Sequence, residues 1–151
     1  TPSIIVLTRQ GLKQARLTNT DENLSAKGGY VIKEASSDAT VTIFSTGSEI
    51  EIAIEAQSDL EADGIATRVV SMPSTETFDS QEQTYQESVF GNAKVYASIE
   101  AGSTYGWDKY VGRNGVKIGI DQFGASAPAK DLYKHFGITK ENLVNSIKEK
   151  L

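Results

Sequence analysis

Thr40-Val-Thr-Ile-Phe-Ser45, Thr46-Gly-Ser-Glu49, the run from Ile50 to Asp63-Gly64, and Ala66-Thr-Arg-Val-Val-Ser71 follow one another in a single stretch. The stretch reads as strand, tight turn, helix and strand. Ile50, Ala53, Ile54 and Leu60, with Ile52 and Ala56 widening the face, keep the spacing of an amphipathic helix. Ser48 stands three residues before Glu51, the spacing of a capping box, in which each side chain takes an amide of the first turn. Gly64 closes the helix, because the residue after a helix often adopts the left-handed conformation that glycine takes freely. From Glu49 to Asp63 the helix would run roughly 22 Å at about 1.5 Å per residue. That length returns the chain along a sheet, so the second strand should lie parallel to the first through a right-handed crossover.

Working outward, Tyr30-Val-Ile-Lys-Glu34 reads as a strand joined to the Thr40 strand by Ser36-Ser-Asp38. So short a link holds no crossover helix, and these two strands should be antiparallel if they share a sheet. Beyond Ser71, Pro73 ends the second strand and Phe78 packs a loop. Ser80 with Gln83 repeats the capping-box spacing and opens a short helix that carries Tyr85 and Val89 inward and closes near Gly91. Lys94-Val-Tyr-Ala-Ser-Ile99 is the next strand. Trp107, Tyr110 and Val111 give another short helix, and Asn114-Gly115 is a turn dipeptide. Val116-Lys-Ile-Gly-Ile-Asp121 alternates as a half-exposed edge strand does. Phe123 to Pro128 is a loop into a helix with the proline in its first turn; Leu132 and Phe136 face inward and Gly137 stops it. Thr139 caps a last helix that buries Leu143, Val144, Ile147 and Leu151. This order gives an α/β fold, a mostly parallel mixed sheet between two helical layers.

Ser3-Ile-Ile-Val-Leu-Thr8 is a short apolar run, the pattern of a strand buried on both faces. A polar stretch from Lys13 to Lys27 separates it from the rest. It is either an edge strand of this domain or a piece of a domain upstream.

The 151 residues suffice for one domain, the chain has no cysteine and one histidine, and its net charge is −5. Disulfide frameworks and thiolate metal sites are thereby excluded. With no long basic run, nucleic acid is a poor partner, and no apolar run approaches the ~20 residues of a membrane span. Ile4 to Leu7 is too short for a secretory core. The expected location is the cytoplasm.

Gly47 and Ser48 sit between a strand and a helix N-terminus, where free amides could hold an anion. Glu49 and Glu51 place negative charge in the same turn, which favours a plain cap. A Ser48 nucleophile fails, since Thr46 and Ile50 stand where a nucleophile elbow needs small residues. His135, beside the glycine stop, suits the negative end of its helix. Glu100 and Asp121 each end a strand and could form a carboxylate pair, or could cap neighbouring turns. Arg9 directly follows the apolar run and could grip a phosphate through two hydrogen bonds, or could be a surface residue.

Thr8-Arg9-Gln10, Lys27-Gly-Gly-Tyr30, Ser45-Thr-Gly-Ser-Glu49, Val70-Ser-Met-Pro-Ser74, Glu100-Ala-Gly102, Tyr110-Val-Gly112 and Phe123-Gly-Ala-Ser-Ala-Pro128 occur in this order in transketolases. The chain resembles their C-terminal domain. The resemblance implies a three-layer α/β/α sandwich whose five-stranded, mostly parallel sheet has one antiparallel strand. It divides the chain into residues 1–10, the terminal strand of the upstream pyrimidine-binding domain; 11–27, a linker; and 28–151, the C-terminal domain. It further implies a homodimeric enzyme of the pentose phosphate pathway that moves a two-carbon ketol unit between sugar phosphates. That enzyme uses thiamine diphosphate with magnesium or calcium, all bound by parts of it that this chain lacks. Of the family's functional residues, one is carried over: Arg9, which would contact the sugar phosphate. The chain itself is then a catalytically inert domain that supports the subunit and dimer architecture. The competing reading is a regulatory module binding a small anion or nucleotide at Gly47 and Ser48.

Overall fold

The strand that begins at Tyr30 is the first sheet element in the computed structural model, which describes residues 4–151. The strands are β1 (Tyr30–Lys33), β2 (Val41–Ser45), β3 (Thr67–Ser71), β4 (Val95–Ile99) and β5 (Val116–Ile118). Between them lie α1 (Ile50–Ala62), α2 (Thr75–Asp79), α3 (Gln83–Phe90) and α4 (Asp108–Val111), and after them α5 (Ala129–Phe136) and α6 (Lys140–Lys148). The five strands form one sheet in the order β1-β3-β2-β4-β5. β2 pairs in parallel with both β3 and β4, and β4 in parallel with β5. β1 is the one antiparallel strand. Its neighbour is β3, not the β2 strand that follows it in sequence, because the α1 crossover inserts β3 between them.

Every residue of β2 is buried, which is why it reads as a nearly continuous apolar run. Its polar side chains are satisfied locally: Thr42 Oγ1 donates to the Phe90 carbonyl at 2.9 Å and Ser45 Oγ to the Ile99 carbonyl at 2.8 Å. Strand alternation sends Val41 and Ile43 to one face of the sheet and Phe44 to the other. On the first face Val41, Ile43, Val69, Ala97 and Ile99 pack with Ala53 and Leu60 of α1 and Leu143 and Ile147 of α6. On the second, Phe44, Val70 and Met72 pack with Phe78, Val89, Trp107 and Tyr110. The result is the three-layer α/β/α sandwich.

Several local expectations need correction. Ser48 does not close a capping box: a 3-10 turn at Gly47–Glu49 precedes α1, and the Ser48 hydroxyl turns to Glu49. The Ser80–Gln83 box does not form either, since Ser80 ends α2 and donates to the Thr77 carbonyl. The segment around Phe78 is helical, not a loop; the Ser74 hydroxyl caps it by accepting from the Thr77 amide at 3.2 Å. Ile54 is only half-buried, and the deep positions of α1 are Ala53, Ala56 and Leu60. Pro128 stands one residue before α5. By contrast, Thr139 does cap α6, accepting from the Asn142 amide at 3.2 Å. Gly64 and Gly137 take φ of 77° and 70°, as helix stops require. Of the segment 1–10, residues 1–3 lie outside the described residues. Ile4 to Leu7 carry no regular structure, and their side chains are 80–93% exposed.

Candidate functional site

The three central strands, β2, β3 and β4, end level with one another, with Ser45 paired to both Ser71 and Ile99. From β2 the chain crosses to β3 on one side, and β4 then forms on the other. Such a reversal opens a crevice at the carboxyl ends, where ligands of open α/β sheets bind. Here the crevice lies between Thr46–Glu49 and Glu100–Gly102.

Gly47, with φ of 56°, turns the chain sharply out of β2, and the turn carries Glu49 inward until it is 5% exposed. Its Oε1 accepts from Ser48 Oγ at 2.6 Å and from Tyr133 Oη at 2.5 Å. Its Oε2 accepts from the Ala101 amide at 3.2 Å. A buried carboxylate of the chain therefore stands beside the turn at which an external anion would bind. Burial, and secondarily the bond to Glu49, raises the Tyr133 hydroxyl above the ordinary range. Replacing Tyr133 by Phe is expected to cost about 1.5–3 kcal/mol, the usual worth of a hydrogen bond to a buried charge. Urea unfolding would check this, and a loss under 0.5 kcal/mol would contradict it.

The Gly47 and Ser48 pair is thus brought to the crevice, and Ser48 is engaged by Glu49. His135 is exposed on the last turn of α5, its ring 4.8 Å from that of Phe136. It stands two residues from Tyr133, and positions two apart on a helix face different ways. No serine–histidine pair forms between them.

Next to the crevice lies a cavity of about 480 Å³ lined by Thr46, Pro73, Glu76, Glu100, Trp107 and Tyr110. Several of its polar groups bond one another. Trp107 Nε1 donates to Glu100 Oε2 at 2.8 Å, Tyr110 Oη donates to Asp79 Oδ1 at 3.0 Å, and Lys109 pairs with Asp79 Oδ2 at 2.7 Å. Burial and Asp79 together push the Tyr110 hydroxyl well up. Asp121 has other partners: the Thr104 amide at 2.8 Å, its hydroxyl at 2.7 Å and the Ser103 hydroxyl at 3.0 Å. Glu100 and Asp121 therefore each fasten a separate turn.

The Thr104 donors hold the Asp121 carboxyl below its ordinary value of 3.8. A lowered pKa in the folded chain means that this group stabilises the loop above the ordinary value and loses that effect as pH falls through the lower one. The Thr104 amide resonance should accordingly titrate with a midpoint below 3.8. A midpoint at or above that value would contradict the bond.

Arg9 lies exposed in a bend. The residues after it, Gln10 to Leu12, line a groove of about 370 Å³ together with Ser48, Ile52 and Tyr133. Glu49 and Tyr133 are the two side chains that sequence reasoning missed. Glu49 stood within the Gly-Ser-Glu turn, but it read as a first-turn acid. Tyr133 carried no local signal, because its partner is 84 residues away.

A family model described as the transketolase-like C-terminal domain matches residues 28–139. A transketolase of Sinorhizobium medicae (strain WSM419) is 49% identical over 145 residues, 95% of this chain and 21% of that protein. Among solved structures, a transketolase from Leishmania mexicana superposes with a TM-score of 0.76 at 38% identity, covering 83% of this chain and 18% of that one. A transketolase from Pichia stipitis in complex with sedoheptulose 7-phosphate gives 0.76 at 36% identity, with coverages of 83% and 18%. The chain spans about a fifth of the length of the curated relatives it matches.

Proposed function

Because this chain belongs to the transketolase family and carries its C-terminal domain, we propose that it serves a thiamine diphosphate enzyme as a scaffold without reacting groups of its own. The observation that carries this reading is the closed bonding at the carboxyl ends of the strands. Glu49, Asp79, Glu100 and Asp121 are each bound by a donor from the chain itself. The hydroxyls that stand beside these carboxylates, those of Ser48, Ser103 and Thr104, are spent donating to them, and Glu49 places a buried negative charge next to the Gly47 turn.

The cofactor of the family does not fit this end of the domain. A diphosphate placed at the Gly47 turn would meet the buried Glu49 carboxylate at close range. Among the described residues, no three Asp, Glu or His side chains are grouped so that they could hold a metal ion. The same carboxylate weighs against a nucleotide-binding module at Gly47 and Ser48.

In the whole enzyme, the ketol transfer between sugar phosphates would take place on the other domains of a homodimer in the cytoplasm, in the pentose phosphate pathway. Residues 1–10 would be the last strand of the preceding pyrimidine-binding domain, 11–27 the linker and 28–151 the C-terminal domain. The exposed apolar side chains of Ile4 to Leu7 support this division, since such a strand gains stability only inside a sheet. Arg9, directly after that strand, would then present its planar fork to the phosphate of the sugar. No helix of the described residues is long and apolar enough to cross a membrane.

The test is a ketol-transfer assay on the chain itself, with thiamine diphosphate, magnesium, a ketose phosphate donor and an aldose phosphate acceptor. The expected rate equals that of the cofactor mixture without protein. Turnover that rises with protein concentration would overturn the scaffold reading.

A further inference from the structure

The opposite end of the sheet, where β4 and β5 begin, carries an arrangement of charge for which the scaffold has no use. A cavity of about 340 Å³ opens there, lined by Lys94, Tyr96, Arg113, Gly115 and Lys150 among others. The three cations come from three separate segments, each with its backbone held. The Lys94 amide donates to the Thr40 carbonyl at 2.9 Å, immediately before β4. Arg113 sits in the turn after α4 that the Gly115 amide closes on the Gly112 carbonyl at 3.2 Å. Lys150 follows α6, its amide on the Ile147 carbonyl at 3.0 Å. Tyr96 spends its hydroxyl on the Gly91 carbonyl at 2.9 Å, which leaves its ring as a wall.

No carboxylate side chain lines this cavity. Six cations elsewhere, Lys13, Arg68, Lys109, Lys117, Lys140 and Lys148, each pair with an Asp or Glu. Others among the described residues, such as Lys33 and Lys130, do not, and what distinguishes Lys94, Arg113 and Lys150 is that they line one cavity together. Among the described residues Lys94, Arg113 and Lys150 have no such partner within ion-pair distance. In a chain of net charge −5, a cavity of purely positive lining runs against the overall balance. The negative end of α6 explains a lysine at position 150, but it reaches neither Lys94 nor Arg113.

We propose that Lys94, Arg113 and Lys150 form a binding site for a small phosphate-bearing anion. Charge selects the ligand class: a monocarboxylate would leave two of the three cations uncompensated, whereas a phosphate monoester or pyrophosphate brings two or more negative charges. The guanidinium fork of Arg113 can engage two phosphate oxygens at once, and the lysines act as point charges. The site is at the far end of the strands from the crevice, so it stands whether or not the scaffold reading does.

The experiment is a titration of the 151-residue chain with inorganic pyrophosphate, followed by amide resonances, with ionic strength held constant by sodium chloride so that general screening does not change. Saturable shifts are expected at Lys94, Gly112, Arg113 and Lys150, with at least tenfold weaker binding in the Arg113→Gln/Lys150→Gln double variant. Lys94→Gln alone, at an exposed position, should weaken binding severalfold. Shifts that grow linearly without saturation would overturn the proposal. So would unchanged affinity in these variants, or saturable shifts confined to Gly47 and Ser48.

Discussion

Phe44→Ala is expected to lower the unfolding free energy by about 3–5 kcal/mol, the range for removing a fully buried aromatic ring. Phe44 is 0% exposed on the central strand, where the sheet and the α2–α4 layer meet. Its ring centroid lies 5.1 Å from that of Phe90, 6.3 Å from Tyr110 and 6.4 Å from Tyr96. Two of those rings are held by hydrogen bonds, Tyr96 to the Gly91 carbonyl and Tyr110 to Asp79. They cannot all move in to fill the space, so the cavity term adds to the lost transfer energy. The comparison that calibrates the measurement is Ile54→Ala on α1. Because Ile54 is half-buried, its cost should fall at or below the low end of the roughly 2–5 kcal/mol usual for core isoleucines. Urea denaturation of both variants decides the matter. A Phe44→Ala loss smaller than that of Ile54→Ala would contradict the placement of Phe44 in the closely packed core.

Gly28→Ala is the second substitution with a large expected effect. Gly28 has φ of 77° and ends the 3-10 turn at Leu24–Lys27. A Cβ there would lie 2.5 Å from the Ser74 carbonyl oxygen and 2.7 Å from the Thr77 carbonyl carbon. Both obstacles are backbone at the start of α2, and the Gly28 carbonyl itself accepts the Ser74 amide at 3.0 Å. A side chain can rotate away from a methyl group, but a capped helix end cannot. Left-handed backbone costs an L-residue roughly 1–2 kcal/mol, and forced overpacking costs typically about 1–3, so the sum is about 2–5 kcal/mol. Gly64→Ala is the control: its φ is also 77°, with open space around it, so only the backbone part should appear. Equal losses in the two variants would contradict the crowding at Gly28.

How much of this was legible beforehand depends on the distance over which each signal acts. The stretch from Thr40 to Ser71 was readable because its information is local: helical spacing, a strand run, a glycine at each end of the helix. The same holds for the Thr139 cap and the Gly137 stop, which involve residues within a few positions of one another. The capping boxes failed for an equally local reason. Ser48 is one residue from a buried carboxylate that binds its hydroxyl more strongly than a first-turn amide does. Ser80 is drawn off by the end of α2, a helix hidden because its five residues are too few to show a period.

The sequence alone determined the α/β class, the strand count, the crossover at α1 and, through its ordered motifs, the transketolase family. All of these rest on patterns within short windows or on the presence of the motifs themselves. The tertiary structure decided that β1 joins β3, that Ile54 lies at the margin of the core, and that Glu49 fills the crevice at the strand ends. Glu49 meets Ala101 and Tyr133 across 52 and 84 residues of chain. Partners so far apart are chosen by packing of the whole sheet and its two helical layers, which no local pattern encodes.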